Sequence, residues 1–298
     1  MKYSRFSHDV IVCVHNGLDD VKLCLDSIIQ HWDPDVLNRL IIVNDASLPE
    51  TRDYLDQFAA PFGFVDVLNL AEQNYYTKAS NTGLRESTAK LKTLLNSDTI
   101  VSKNWAKKIQ SVFASSEHIG IVGPLSNAAS TQSVPFVKSS KTQTAINELP
   151  PGISVEEFGQ FIENTARDRV IPFVPLVHGF CLTIKSDVLD DIGYFDEMSF
   201  PRGYGEENDF CFRAEDAGYI LAIAIDVFIF HAKSKSYSSS DRVQFMSDGM
   251  RMLSKKHGVA RIQKSVTFME ENPHLKFMRE AVLNNWSSHY SFSAMGDA

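Results

Sequence analysis

Short, continuous apolar runs alternate with amphipathic segments through the first third of the chain. The apolar runs cover residues 10–14, 40–43, 64–70 and 91–95, and segments with helical spacing lie between them. Continuous apolar strands are typical of a parallel sheet that is covered by helices on both faces. The pattern therefore predicts an α/β fold with a Rossmann-like, mostly parallel sheet. In such sheets, ligands bind where strands end and loops begin.

The remaining two thirds predict a continuation of this fold and then a helical tail. Helices are expected at 104–115, 154–167 and 206–217, and strands at 119–123, 173–177, 180–184, 219–225 and 227–231. Residues 124–152 are polar and lack periodicity, as in a functional lid or a mobile loop. Beyond residue 238 the chain reads as mostly helical. Its apolar positions near residues 277–286 indicate a packing stripe or, alternatively, a face for a membrane surface or a second copy of the chain.

Charge and length exclude several classes of protein. A chain of 298 residues is long enough to bury a large core without disulfides. Its net charge of −8 argues against nucleic-acid binding, which requires a basic face. The four cysteines lack metal-ligand spacing, so we expect reduced thiols. The N-terminus has no secretory pattern, and Asp226 interrupts the longest apolar run, 221–230. A soluble, cytoplasmic protein is the expectation.

Four short segments end or follow predicted strands and should bring polar groups to the same edge of the sheet. They are residues 44–47, 96–99, 203–209 and His231. Each has a structural interpretation, because Asp and Asn form turns and helix caps and carboxylates favour a helix N-terminus. A lone strand-end histidine is also more often structural than a ligand. The four segments together favour a functional site.

The order and the sequence motifs of these segments resemble those of the family-2 glycosyltransferases with the GT-A fold, over about residues 8–240. The resemblance is carried by residues 9–16, 40–47, 74–83, 192–197 and 203–213, followed by 217–219 and His231. Residues 96–98 and 125–130 are also similar to the branch that builds bacterial surface polysaccharides, including rhamnosyl transferases. By resemblance, eight residues bind a nucleotide-sugar donor: His15, Asn16, Asp45, Asn74, Lys78, Asn81, Asn96 and Ser97.

The resemblance also implies a divalent metal, Mn²⁺ or Mg²⁺. Charge develops on the donor diphosphate during transfer, and a cation can neutralise it. Asp98 corresponds to the last acidic position of the family's metal motif, and His231 can add an imidazole nitrogen. The first acidic position of that motif is Asn96 here, whose neutral carbonyl is a weaker ligand. We therefore expect modest metal affinity, with the ion arriving together with the donor.

A base must take the proton of the attacking sugar hydroxyl. Glu207 matches the position of the family's catalytic carboxylate, which implies direct displacement with inversion at the anomeric carbon. Gly205, Glu206 and Asp209 are expected to bind the acceptor, with holding the helix as an alternative role for Asp209. Successive residues on a helix point about 100° apart, so the three carboxylates cannot all serve one atom. Glu is one methylene longer than the family's usual Asp, which leaves Glu206 and Asp209 as alternatives for the base.

The resemblance implies a division of the chain into domains and a function. Residues 1–240 are expected to form the transferase domain, with a nucleotide-sugar half at about 1–123 and an acceptor half at about 124–240, and 241–298 a helical extension. The expected reaction moves a sugar from a nucleoside-diphosphate donor to a saccharide or lipid-linked saccharide in cell-surface polysaccharide synthesis, on the cytoplasmic side of a membrane. The alternatives are a non-catalytic nucleotide-sugar or glycan-binding module and a sugar nucleotidyltransferase. The latter is disfavoured because residues 15–20 lack a Gly-rich, basic phosphate loop.

One segment accounts for the whole net charge. Residues 187–216 contain ten acidic side chains against Arg202 and Arg213. Because this segment includes the proposed base, the sequence predicts a concentration of negative charge beside the site, and hence a need for a cation before an anionic donor can bind.

Overall fold

A computed structural model describes residues 6–140, 143–233 and 239–290 of the chain. The four strands expected in the first third are present: β1 (His8–Val14), β2 (Arg39–Asn44), β3 (Val65–Asn69) and β4 (Leu91–Asn96). They pair in parallel in the order β3–β2–β1–β4. The crossovers are α1 (Leu18–Gln30), α2 (Pro49–Ala59) and α3 (Tyr75–Glu86). Parallel pairing through crossover helices brings the ends of β1, β2 and β4 to one edge.

Alternate residues of β1 enter two different cores. Val10 and Val12 pack in the cluster that contains α1 residues such as Leu25, whereas Ile11 packs in the cluster that contains Leu84 of α3. All of these side chains are buried. Burial on both faces explains why the strand sequences are continuously apolar rather than alternating.

The second half of the sheet mixes strand directions. Its strands are β5 (Thr99–Val101), β6 (Ile119–Leu125), β7 (Phe173–Val174), β8 (Cys181–Lys185) and β9 (Ile220–His231), and its helices are α4 (Trp105–Ser115), α5 (Val155–Ala166), α6 (Ser186–Ile192) and α7 (Glu206–Asp216). β8 is antiparallel to both β4 and β6, and β9 is parallel to β6. The predicted α/β class, with a central sheet between helices, is confirmed.

The two strands expected at 219–225 and 227–231 form one strand, β9. The register against β6 jumps from the Pro124–Ala224 pair to the Leu125–Phe228 pair. Pro124 has no N–H to donate, so a regular ladder cannot continue through it. Beyond the irregularity, β9 pairs with β5 and ends at His231, opposite Thr99. The strand therefore continues through the irregularity and places His231 at the edge of the sheet.

Much of the polar segment 124–152 is packed against the body of the protein rather than displayed as an open lid: most of residues 124–135 are buried, and so are residues 145, 147 and 150. Asn127 and Asn147 are almost fully buried. The Asn147 amide donates to the carbonyls of Asn127 and Phe136, and the Asn127 amide donates to the carbonyl of His231. The polar composition therefore supplies hydrogen-bond partners for buried irregular backbone.

Four helices follow: α8 (Ser239–His257), α9 (Val259–Glu271), α10 (Pro273–Asn285) and α11 (Ser287–Tyr290). Met278 and Val282 are fully buried in the core cluster that contains Phe158, and the Trp286 ring stacks on Phe158 at 5.0 Å between centroids. The apolar stripe expected near 277–286 thus packs inward at these positions. Within the described ranges, no helix is both long and apolar enough for a bilayer, and all four cysteines are free thiols.

Candidate active site

A cavity of about 330 Å³ opens at the edge where β1, β4 and β9 end. Nine of the residues singled out in the sequence line it: His15, Asn16, Asp45, Asn96, Ser97, Asp98, Glu206, Glu207 and His231. They come from five separate parts of the chain, which only the sheet topology brings together. Five others are not among the described residues that line it: Asn74, Lys78, Asn81, Gly205 and Asp209.

The loops after β1 and β2 form one wall and are joined by hydrogen bonds. The His15 ring contacts the Asp45 carbonyl through Nδ1 at 2.7 Å. The Asn16 backbone N–H donates to the Ser47 hydroxyl at 3.0 Å, and its side-chain oxygen accepts from the Leu48 N–H at 2.8 Å. Asn16 has a φ of 59°, a left-handed conformation that asparagine tolerates better than most residues. These bonds hold the two loops against each other.

The carboxylate of Asp45 is buried and has a structural contact. Its Oδ1 accepts the backbone N–H of Asn74 at 2.6 Å. Asn74 precedes α3, so this bond ties the start of that helix to the cavity wall. Asn74 thus contributes by holding Asp45 rather than by facing the cavity.

Asn81 and Lys78 lie on α3 away from the cavity. The buried Asn81 amide donates to the Phe195 carbonyl at 2.9 Å and to Glu197 Oε1 at 2.7 Å, and its oxygen accepts from the Phe195 N–H at 3.1 Å. Its polar atoms are therefore used to join α3 to the segment before α7. Lys78 is exposed, and it lies between Tyr76 and Ala79, which line the cavity, without lining the cavity itself.

Asp98 and His231 face each other across the cavity floor. His231 Nδ1 lies 2.9 Å from the Ala128 carbonyl, which can only accept, so Nδ1 carries the hydrogen. Nε2 then faces Asp98 Oδ1 at 3.2 Å and the Asn96 amide at 3.5 Å. A neutral ring would place a lone pair against a carboxylate oxygen, which is unfavourable unless a cation or a proton lies between them.

This donor pair fits a divalent ion. An imidazole nitrogen held by a backbone carbonyl and a carboxylate oxygen are ligands that suit Mn²⁺. The structural fit is limited to this pair, because the described ranges contain no group of three or more His, Cys, Asp or Glu placed around one metal position.

The paired glutamates of α7 differ in their surroundings. Glu206 is buried and its Oε2 has no hydrogen-bond partner among the described residues. Burial and the adjacent charge of Glu207 raise the pKa of Glu206 well above its usual range. Burial also raises the pKa of Glu207, but the neighbouring His178 and backbone N–H groups at the helix N-terminus outweigh that effect and lower it overall. Glu206 is therefore suited to donate a hydrogen bond, and Glu207 to accept a proton.

Asp209 lies behind these two residues and is fully enclosed. Its Oδ1 contacts Lys256 Nζ at 2.6 Å and His257 Nε2 at 2.8 Å, and its Oδ2 accepts from Arg213 Nε at 2.9 Å. Of the two roles expected for Asp209, this geometry favours holding the helix. Gly205 precedes α7 with a φ of 128°, and an added Cβ would lie 3.0 Å from the Phe200 ring, so its glycine shapes the helix start.

Sequence reasoning missed several residues of the cavity wall. His178 and Lys233 line it. Gln73, Tyr76, Arg202 and Tyr204 also line it, but they lie within or directly beside the segments 74–83 and 203–209 that the sequence had marked. His178 precedes Gly179 and follows an apolar run. A polar, titratable residue at the end of an apolar segment was the available signal.

The acidic residues between 187 and 216 are not concentrated at the cavity, contrary to the expectation from the sequence. Only Glu206 and Glu207 of the ten line it among the described residues. Others pair with cations elsewhere: Asp187 with Lys90, Asp196 with Lys256, Glu197 with Arg85, and Glu215 and Asp216 with Arg261. Neutralisation by distant lysines and arginines could not be read from local charge counts. The charge of this segment therefore does not by itself call for a cation at the cavity.

Comparison with known proteins identifies a family for the sequence. Residues 9–189 match a family model described as glycosyl transferase family 2. Glycosyltransferase AglE of Haloferax volcanii is 23% identical over 222 residues, 74% of this chain and 66% of AglE. The match thus spans slightly less than two thirds of that protein.

Two solved structures share the fold across nearly the whole chain. Mannosyltransferase PcManGT from Pyrobaculum calidifontis, in complex with GDP-Man and Mn²⁺, has a TM-score of 0.63 at 16% identity, over 99% of this chain and 77% of that one. GalNAc-T7 with UDP, GalNAc and Mn²⁺ has a TM-score of 0.62 at 14% identity, over 97% of this chain and 58% of that one. At these identities the likeness is one of fold.

Proposed function

Since the chain belongs to glycosyl transferase family 2, we propose that its cavity transfers a sugar from a nucleoside-diphosphate donor to a hydroxyl of a saccharide acceptor, with inversion. The observation that carries the proposal is that one cavity holds Asp45, the Asp98–His231 pair and Glu207. These groups supply a nucleotide contact, a cation site and a base, which are the three requirements of direct displacement.

The donor is proposed to lie along the wall formed by the loops after β1, β2 and β4. Asp45, His15 and Asn16 would contact the base and ribose, and Asn96 and Ser97 the ribose and diphosphate. Asn74 would act through Asp45, and Asn81 and Lys78 through the position of α3. Nucleotides are present in the structural relatives, GDP-Man in one and UDP in the other.

A divalent ion, Mn²⁺ or Mg²⁺, is proposed to be held by Asp98 and His231. When bound, it would neutralise negative charge on the diphosphate. Two protein ligands hold such an ion weakly, so we expect it to bind together with the donor. Mn²⁺ accompanies both structural relatives.

Glu207 is proposed to take the acceptor proton. As the acceptor oxygen bonds to the anomeric carbon, its proton moves to the Glu207 carboxylate, and the bond from that carbon to the donor phosphate breaks. The nucleoside diphosphate leaves with the bonding electrons, and attack from the opposite side inverts the anomeric centre. Glu206, in its neutral form, would donate a hydrogen bond to the acceptor through Oε2, which has no partner among the residues that the structure describes.

The biological setting is proposed from the sequence resemblance. We propose a saccharide or lipid-linked saccharide acceptor in the synthesis of a cell-surface polysaccharide, at the cytoplasmic face of a membrane. A rhamnosyl donor is one proposal, and the nucleotide screen below includes it. Residues 1–240 would form the transferase domain, and the helices of 241–298 would complete its core.

A donor screen tests the proposal. The protein is incubated with Mn²⁺, saccharide acceptors and a panel of UDP-, GDP- and dTDP-sugars, and release of nucleoside diphosphate is measured. Glu207→Gln should lower kcat by at least about 100-fold while donor binding persists, because a positioned base contributes on the order of 10²–10⁴. Glu215→Gln, on the same helix and paired with Arg261 at the surface, is the matched control.

Three outcomes would reject parts of the proposal. Release of pyrophosphate from a sugar phosphate and a nucleoside triphosphate would indicate a nucleotidyltransferase. Donor binding without turnover would indicate a binding module. Near-normal turnover of Glu207→Gln would remove Glu207 as the base.

A further inference from the structure

His178 borders the cavity on the side of Glu207. It lies in the connection between β7 and β8, immediately before Gly179. Its side chain is 17% exposed, and Nδ1 lies 3.9 Å from Glu207 Oε1. This distance is longer than a hydrogen bond but within the range of an ion pair. The ring is therefore a group that can carry a positive charge beside this carboxylate.

The ring is held on its far side. Its Nε2 lies 2.9 Å from the Thr131 hydroxyl. The backbone N–H of His178 donates to the side-chain oxygen of Gln132, whose amide donates to the Pro124 carbonyl at 2.6 Å. Thr131 and Gln132 are almost fully buried. When the Thr131 hydroxyl donates to Nε2, the hydrogen of the neutral ring sits on Nδ1, the nitrogen that faces Glu207.

Thr131 is in turn fixed by the C-terminal helices. Arg279 of α10 donates from Nη2 to the Thr131 carbonyl, from Nε to the Ser133 carbonyl at 3.3 Å and from Nη1 to the Glu270 carbonyl at 3.0 Å. A contiguous set of contacts therefore runs from α10 through Thr131 to His178 and the carboxylate of α7.

Glu206 and Glu207 differ most in their contact with this histidine. The titratable groups whose charges act on Glu207 are His178, Glu206, Tyr76 of α3 and Cys211 of α7. Tyr76 and Cys211 are neutral because burial raises the pKa of both groups. Among these four described titratable groups, His178 is the one that favours the ionised carboxylate, and it contacts one member of the pair.

We propose that His178 is a positioning residue that selects Glu207, rather than Glu206, as the carboxylate that receives the acceptor proton. The inference rests on the proposed function and deepens it. Thr131 orients the ring, and the C-terminal helices hold Thr131 in place. The helical extension thereby contributes to the reaction without reaching the cavity.

The first experiment does not require activity. In protein labelled with carbon-13 at glutamate side-chain carboxyls, the Glu206 and Glu207 signals are assigned with Glu206→Gln and Glu207→Gln and followed against pH. In His178→Ala, the Glu207 midpoint should rise by about 1 to 3 pH units, the range for loss of a neighbouring opposite charge. Unchanged midpoints would overturn the inference. Because no donor is needed, this result is independent of whether the proposed function fails.

The second experiment measures kcat against pH with a donor that the wild-type protein turns over. A base acts when deprotonated, so activity falls on the acid side of its pKa. The acid limb should move to higher pH by the same 1 to 3 units in His178→Ala, and by less in Thr131→Val, with donor KM unchanged. Thr131→Ser, which keeps the hydroxyl, should show the wild-type pH profile. Added imidazole should partly return the acid limb of His178→Ala to its wild-type position. His118→Ala, at an exposed histidine, is the control.

Two results would contradict the inference. One is a His178→Ala profile that superimposes on the wild type. The other is an equal loss of kcat at every pH that imidazole does not relieve, which would indicate a purely structural role.

Discussion

Replacing Asp209 by asparagine should destabilise the protein without weakening acceptor binding. The Asp209 side chain is fully buried, and its two oxygens contact Lys256, His257 and Arg213 at 2.6, 2.8 and 2.9 Å. Lys256 and His257 end α8, whereas Asp209 and Arg213 belong to α7. One carboxylate therefore joins the helix that carries Glu207 to the C-terminal helices.

The size of the effect follows from burial. Removing one partner of a buried ion pair lowers the free energy of unfolding by about 3–5 kcal/mol, because the remaining charge is then buried without an opposite charge. Arg213 keeps its bonds to the Ile192 and Tyr194 carbonyls, and Lys256 keeps Asp196 at 2.8 Å, so the lower end of that range is expected. At about 2–3 °C per kcal/mol for a chain of this size, the melting temperature should fall by about 6–9 °C.

Thermal and urea unfolding of Asp209→Asn and wild type measure this difference at pH 7. Asp216→Asn is the matched control, because Asp216 lies on the same helix and pairs with Arg261 at the surface. The Asp216→Asn substitution should lower the free energy of unfolding by about 0–1 kcal/mol. The reasoning is refuted if Asp209→Asn melts like the control. It is refuted equally if stability is unchanged and the acceptor KM rises, which would assign Asp209 to acceptor binding.

Three further predictions concern the cavity. Glu206→Gln should raise the melting temperature at neutral pH. Because the pKa of Glu206 is raised, the folded state keeps a proton that the unfolded state releases above a pH of about 4.5, and wild-type stability therefore falls as the pH rises through that window. A difference in melting temperature between variant and wild type that is the same at pH 5 and pH 8 would refute this. Gly249→Ala should destabilise the protein by about 1–3 kcal/mol in urea unfolding, because its Cβ would lie 1.8 Å from the Tyr204 carbonyl oxygen, whereas unaltered stability would mean that α8 can shift freely. His231→Gln should weaken Mn²⁺-dependent donor binding by at least about tenfold in calorimetry, and equal binding with and without the substitution would exclude His231 as a ligand.

Local sequence patterns predicted most of the elements because the sheet strands are buried on both faces. Val10, Ile11 and Val12 are apolar in succession since each faces a core, and that signal is visible without knowing the partners. Nine of the residues that line the cavity could also be predicted, because strand ends and the motif at 203–209 mark the sheet edge, whereas His178 was not singled out. Strand direction in the second half was not accessible, since the antiparallel insertion of β8 between β4 and β6 depends on pairing between distant segments.

The segment 124–152 shows the limit of composition. Its polar residues predicted a lid or mobile loop, yet Asn127 and Asn147 are buried and bond to backbone. A polar side chain in water and one that pairs with buried backbone have the same sequence signature. The distinction requires the position of the groups they contact.

By itself, the sequence determined the α/β class, the site edge and the family resemblance, since these depend on local periodicity and on short motifs. Only the tertiary structure decided how the surroundings of Glu206, Glu207 and Asp209 differ. Asp209 is enclosed by Arg213 and by Lys256 and His257, which lie about fifty residues away along the chain. Glu206 is buried beside a neighbouring charge, and Glu207 faces His178. Electrostatic environment depends on distance in space and on burial, and neither quantity is encoded in the spacing of residues along the chain.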